Sequence, residues 1–380
     1  MRGRKFGGNR RVIFGRSVHA GRAVAYGLAG WVVVAVIVTS ILFVRQRLYQ
    51  EGRSMLPAIA GQLTPADQHS WATFPPYDNA VPVLVYHGIG TKPSYITESR
   101  KLFAAQMAAL KTGGFHALTM AQYVAFSEGK ITSLPSRPIL ITFDDGRLDA
   151  YRDATPILRE YGMHAIAFIV PGWVTAHPNF ALSWPELQQM QRSGTWDIQL
   201  HFGYGPQNVP YDKYGNSAAV FSHLEYFPAE GGHPARQETL AGFEHRVTSN
   251  FLYGIRELRA HMPGYQPLGE AVPESNYGQQ STNDPAIPPF VLSWLHRHFT
   301  VVFGGDWLDT GKDRPFQISD RYSPQLSYRM SMGPKQTLPV LRCRLRNFVQ
   351  NTPLWNEYHC YHAPLIPHYA HPPIPPVSHG

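Results

Sequence analysis

Two aspartates stand side by side in "PILITFDDGRLDA", Pro138 to Ala150, directly after an apolar run of strand type and directly before a glycine. Adjacent carboxylates repel, and burying them without partners costs on the order of several kcal/mol per ion. A metal ion or a catalytic proton would compensate. The alternative is a strand end turning into solvent, where Asp-Gly is ordinary turn chemistry. Two histidines stand in comparable places: His87 closes "VPVLVYHG" and His201 follows "WDIQL".

The surrounding pattern says how such residues could meet. "VPVLVYHG" reads as a buried strand, and "FAAQMAALKTGGF" as a helix with Phe103, Met107 and Leu110 on one face, stopped by Gly113 and Gly114. "PILITF" is a strand, "DAYRDATPILREYGM" a helix, and "HAIAFIV" a strand. Ser183 and Glu186 form a capping box that opens another helix, and "WDIQL" is the next strand. Strand and helix in alternation predict a parallel sheet with helices outside it. In such sheets active sites lie at the carboxyl ends of the strands, which is where His87, Asp144, Asp145 and His201 fall. That convergence favours chemistry over a simple turn.

Beyond His201, residues 203–242 read as a long inserted loop rich in Gly, Pro, Tyr and His. "EHRVTSNFLYGIRELRAHM" and "PPFVLSWLHRHF" read as helices, "TVVFGGDW" as a strand, and "LSYRMSM" with "TLPVLRCRLRNFV" as a last strand and helix.

The formal charge of +8 is concentrated at one end: residues 1–22 carry seven Arg or Lys and no acid. The remainder is close to neutral, with no sign of a phosphate-binding surface, so nucleic acid is not an expected partner. Residues 23–44, "AVAYGLAGWVVVAVIVTSILFV", are 22 residues without a charge. At about 1.5 Å per residue they are long enough to cross a bilayer core of about 30 Å. The run exceeds the apolar part of a cleaved signal peptide, and the basic flank precedes it. The expectation is a single-pass cell-membrane protein with residues 1–22 cytoplasmic, an uncleaved transmembrane anchor at 23–44, a linker at 45–79, an extracytoplasmic domain at 80–350 and a Pro/His-rich, disordered tail at 351–380. Cys343 and Cys360 are too few for a disulfide framework, and spacing leaves open whether they bridge.

With these motifs in view, the chain resembles the polysaccharide deacetylase family, carbohydrate esterase family 4, over about residues 80–348 and most strongly from Val83 to Gly205. "VLVYHGI" resembles the family's opening strand and "ITFDDGRLDAYRDATPIL" its first catalytic motif. "WDIQLHFGYG" is similar to the second motif of members from exopolysaccharide loci that act on poly-N-acetylglucosamine-like chains. "YGQQSTND" and "FTVVFGGDW" are weaker matches.

The resemblance implies an α/β fold, a distorted (β/α) barrel usually of seven strands, preceded here by the transmembrane helix. It implies metal-dependent removal of N-acetyl groups from an extracytoplasmic polysaccharide, with Asp144 as catalytic base and Asp145 and His201 as ligands to a divalent metal, zinc, cobalt or nickel. Such a metal polarises the acetamide carbonyl and acidifies its water while the neighbouring carboxylate takes the proton. Tyr204 and Trp307 are candidates for stacking on sugar, and exopolysaccharide synthesis or export proteins are candidate partners.

The departures are equally specific. The family's second histidine, four or five positions after the first, is replaced by Gly205 and Pro206. Catalytic zinc takes three protein ligands, so His87, and then His223 or His233, are the substitutes to test. The arginine of the third motif is absent from "AVPESNYGQ", where Pro273, Glu274 and Ser275 stand, and no late strand ends in the general-acid histidine. The competing expectation is a weakly active or inactive module that binds polysaccharide or scaffolds its assembly.

Overall fold

The computed structural model describes residues 17–305, 326–350 and 360–361, so Trp307 and most of the Pro/His-rich tail lie outside the described residues. The chain divides into two units, Met1–Ser54 and Met55–Gly380. In the first, a helix runs from Ser17 to Arg53. It covers the uncharged run, and Trp31, Val34, Ile37, Ile41 and Phe43 on it are exposed. Among the described residues no helix is long and apolar enough to cross a membrane.

The second unit winds strands in chain order. These are β1 (Val83–Tyr86), β2 (Pro138–Phe143), β3 (Ala165–Ile169), β4 (Trp196–Leu200), β5 (Gly269–Ala271), β6 (Val301–Phe303) and β7 (Met330–Ser331). Their order in the sheet is β6-β5-β4-β3-β2-β1-β7, with the short strand His116–Ala117 added beside β2. Every pairing is parallel. Ser327, just ahead of β7, also bridges to Phe303 in β6. Its N–H donates to the Val302 carbonyl at 2.8 Å, and the Ser327 carbonyl accepts from the Gly304 N–H at 3.1 Å. The two edges of the curled sheet meet there, giving a distorted (β/α) barrel.

Alternation along β2 builds the two cores. Ile139, Ile141 and Phe143 face the helical layer with Phe103, Leu158 and Trp196. Leu140 joins Val83, Ile166, Phe168 and Phe303 in the other cluster. Burial of each such side chain contributes roughly 1.5–3 kcal/mol, which is why a strand apolar on both faces is stable only between layers. The helices start where side chains satisfy their first N–H groups. The Ser99 hydroxyl accepts the Leu102 N–H at 3.1 Å to open the helix Arg100–Thr112. Glu186 Oε2 accepts from the Ser183 N–H and hydroxyl, both at 2.7 Å, to open Trp184–Arg192.

Two expectations are corrected. The end of the proposed linker is folded: Pro65–Ala72 is helical, and Trp71 and Phe74 are buried against Phe115. Its polar composition conceals two aromatics whose partners lie far along the chain. The proposed loop at 203–242 holds two short antiparallel pairs, Asn208–Pro210 with Ser217–Ala219 and Tyr226–Phe227 with Arg236–Gln237. Cys343 and Cys360 are bridged. The bond ties the helix Leu338–Val349 to residues beyond its end.

Candidate active site

The pairing of β1 with β2 continues one residue past Phe143, where the Asp144 N–H donates to the Tyr86 carbonyl at 3.0 Å. The chain then turns sharply. Asp145 has φ 72° and Gly146 φ 63°, two successive left-handed residues. Asp tolerates this conformation better than most side chains, and glycine is indifferent to it. A Cβ at Gly146 would also lie 2.9 Å from Ile169 Cδ1. The turn aims both carboxylates into the pocket at the carboxyl ends of the strands. His201 reaches the same pocket from the end of β4, its N–H held by the Ile169 carbonyl at 2.9 Å. Asp144, Asp145, His201 and His87 all line it.

Asp144 is held by an arginine that sequence reasoning missed. Arg329, one residue before β7, donates from Nη1 to Oδ1 at 2.7 Å and from Nη2 to Oδ2 at 2.8 Å. The two side chains are 2% and 4% exposed. Burial pushes the Asp144 carboxyl up, but Arg329, His201 and His87 together outweigh it and hold the carboxyl at about 2. Arg329 Nε donates to the Gly304 carbonyl at 3.3 Å, and the guanidinium lies 5.5 Å from the Phe168 ring centroid. An arginine that fixes Asp144 is therefore present, delivered just ahead of β7 instead of by the segment after β5. Its signal in the sequence was a lone arginine inside the short apolar run "LSYRMSM".

His201 is set for a ligand's role. Its Nδ1 lies 2.5 Å from the Ala271 carbonyl, which can only accept, so Nδ1 carries the proton and the neutral ring presents an Nε2 lone pair. That Nε2 is 3.8 Å from Asp145 Oδ1. Burial lowers the His201 pKa, against the pull of Asp144. Burial raises that of Asp145. Asp145 Oδ1 accepts from the Gln207 amide at 3.0 Å. An enclosed carboxylate beside a histidine lone pair, with an amide rather than a cation on its oxygen, is a donor set that fits a divalent ion.

Among the described residues no three His, Cys, Asp or Glu side chains gather to hold a metal. His87, expected as a possible third ligand, lines the same pocket. Asp145 and His201 end β2 and β4, and His87 ends β1, the neighbour of β2. His87 Nδ1 is shut from solvent and lacks a hydrogen-bond partner. His223, bonded to Ser222 Oγ at 2.8 Å, and the exposed His233 do not line the pocket. Glu274, at φ 55°, does line it. Burial raises its pKa, Asn208 lowers it and Asp145 raises it further. Tyr204 is exposed outside the pocket lining, edge-on to Tyr253 at 5.1 Å. Trp196 is core, its Nε1 donating to Thr155 Oγ1 at 3.1 Å.

Residues 132–207 match the family model for polysaccharide deacetylase. Over 122 residues the chain is 34% identical to YxkH of Bacillus subtilis, a protein named for the same family, covering 32% of this chain and 42% of that one. Over 107 residues it is 32% identical to the poly-beta-1,6-N-acetyl-D-glucosamine N-deacetylase of Staphylococcus aureus, covering 27% and 36%. The chain thus spans less than half the length of these relatives. The solved de-N-acetylase from Aggregatibacter actinomycetemcomitans shares the fold, with TM-score 0.51 and 19% identity over 67% of this chain and 94% of that one.

The fold and the matched segment 132–207 make this chain similar to the polysaccharide deacetylases. Among those proteins, part of the chain is similar to one named poly-beta-1,6-N-acetyl-D-glucosamine N-deacetylase.

Proposed function

We propose that this chain is a membrane-anchored, metal-dependent hydrolase that removes N-acetyl groups from an extracytoplasmic polysaccharide of poly-N-acetylglucosamine type. The observation that carries the reading is the Asp144–Asp145–His201 set in one pocket with Arg329 clasping Asp144. Asp145 and His201 would hold the ion, zinc, cobalt or nickel by donor type, which when bound polarises the acetamide carbonyl and acidifies water. Asp144 accepts the proton of the attacking water, and Arg329 fixes the direction of its lone pairs. The leaving nitrogen needs a proton in turn, and the titratable groups facing the same pocket besides the first set are His87, Tyr95 and Glu274.

The anchor rests on the uncharged run 23–44 and the exposed apolar side chains of its helix. The Cys343–Cys360 bridge suits an oxidising, extracytoplasmic compartment. One observation favours a second reading, a weakly active or inactive module that binds polysaccharide or scaffolds its assembly with synthesis or export proteins: among the described residues no three His, Cys, Asp or Glu side chains gather, where catalytic zinc takes three ligands. Acetate release from an N-acetylglucosamine oligomer, measured beside bound metal, tests both. Metal with turnover supports the deacetylase; glycan retention without acetate release supports the module.

A further inference from the structure

We infer that Gln207 is the third donor of this metal site, through its side-chain amide oxygen, in the place left by the missing second histidine. The inference rests on the metal-dependent reading above and adds a residue to it. Two donors at about 2.0–2.2 Å from a tetrahedral ion are about 3.4 Å apart. Measured from the same Asp145 oxygen, His201 Nε2 lies at 3.8 Å and the Gln207 amide nitrogen at 3.0 Å. Both are within about half an ångström of that separation, and all three side chains line the same pocket.

In the structure Gln207 donates from its NH2 to Asp145 Oδ1 at 3.0 Å. A half-turn about the terminal side-chain torsion exchanges amide nitrogen for oxygen with little change in shape, converting a donor to the carboxylate into a neutral oxygen ligand. The backbone holds the residue in place for this. The Gly205 carbonyl accepts from Trp173 Nε1 at 3.1 Å. The Gln207 carbonyl accepts from the Val220 N–H at 2.8 Å, and the next residue, Asn208, begins the pair with Ser217–Ala219. Gly205, at φ 92°, permits the turn that carries the chain past exposed Pro206 and brings Gln207 inward. The departure from the histidine pattern is thus a change of ligand type: a harder oxygen for an imidazole, with weaker zinc binding and relatively better tolerance of manganese or cobalt.

The test is cobalt(II) titration of the full chain in detergent, read by visible d–d absorption and by competition with a chelator, with thermal unfolding as the control for folding. Gln207→Ala is expected to weaken cobalt at least tenfold and to change the absorption band. Gln207→Glu, which keeps an oxygen and loses the N–H, is expected to bind at least as tightly as wild type. If Gln207→Ala binds like wild type while Asp145→Asn does not, the metal reading stands and the assignment of Gln207 fails. If Gln207→Glu loses cobalt as Gln207→Ala does, Gln207 serves only as an N–H donor to Asp145 and the assignment again fails. A wild-type chain that takes up no cobalt or zinc overturns the metal-dependent reading itself.

Discussion

Arg329 grips Asp144 with two parallel hydrogen bonds, at 2.7 and 2.8 Å, across a separation of 185 residues in the chain. Both side chains are nearly inaccessible, so each charge depends on the other. Breaking such a buried pair typically costs about 3–5 kcal/mol because one ion is left unpaired. Arg329→Met should therefore lower the melting temperature strongly, and adding Asp144→Asn should restore part of the loss. Additive effects in calorimetry would show that the pair is not coupled.

Asp145 and His201 should matter to metal more than to folding. Asp145→Asn or His201→Ala is expected to reduce bound zinc, cobalt or nickel sharply with an unchanged far-UV spectrum. Metal content unchanged from wild type in both variants would move the ion elsewhere, for example to the histidines of residues 351–380.

Glu98 gives the domain a pH dependence unrelated to catalysis. Burial, softened by hydrogen bonds from the Ser99 N–H and the Gln106 amide, pushes its carboxyl from 4.5 up to about 7. A raised carboxyl pKa means the folded state holds its proton more tightly than the unfolded chain. The stabilisation is complete below 4.5 and disappears as pH rises through about 7, a difference of about 3 kcal/mol by linkage. Glu98→Gln should match wild type near the acid end of that window and melt higher above it. Parallel melting curves at all pH values would refute this.

Reduction of Cys343–Cys360 should lower stability by about 3 kcal/mol in the chain-entropy account for a loop of about this length. Cys343→Ser, measured by denaturant midpoint, should reproduce the effect of reductant. No further loss on reducing the variant is expected, since the chain contains two cysteines.

For the anchor, protease added to intact cells or spheroplasts should digest the second unit and spare residues 1–22. Protection of the large unit with cleavage of the N-terminus would reverse the topology and remove the extracytoplasmic substrate.

The sequence by itself determined the winding of strand and helix, because buried strands and amphipathic helices carry their periods locally. It also determined the positions of Asp144, Asp145 and His201, because a strand end fixes where the next side chain goes. It could not determine that Arg329 serves Asp144. That pairing exists because β7 returns to lie against β1 and Ser327 joins it to β6, a closure that no local pattern encodes. The same holds for Gln207, brought to Asp145 across 62 residues, and for Trp71 and Phe74, whose core partners lie on other elements. Local chemistry was legible because it is contiguous in the chain. The groups that neutralise and complete it are contiguous only in space, where burial leaves a charged or polar atom no partner except the one the fold delivers.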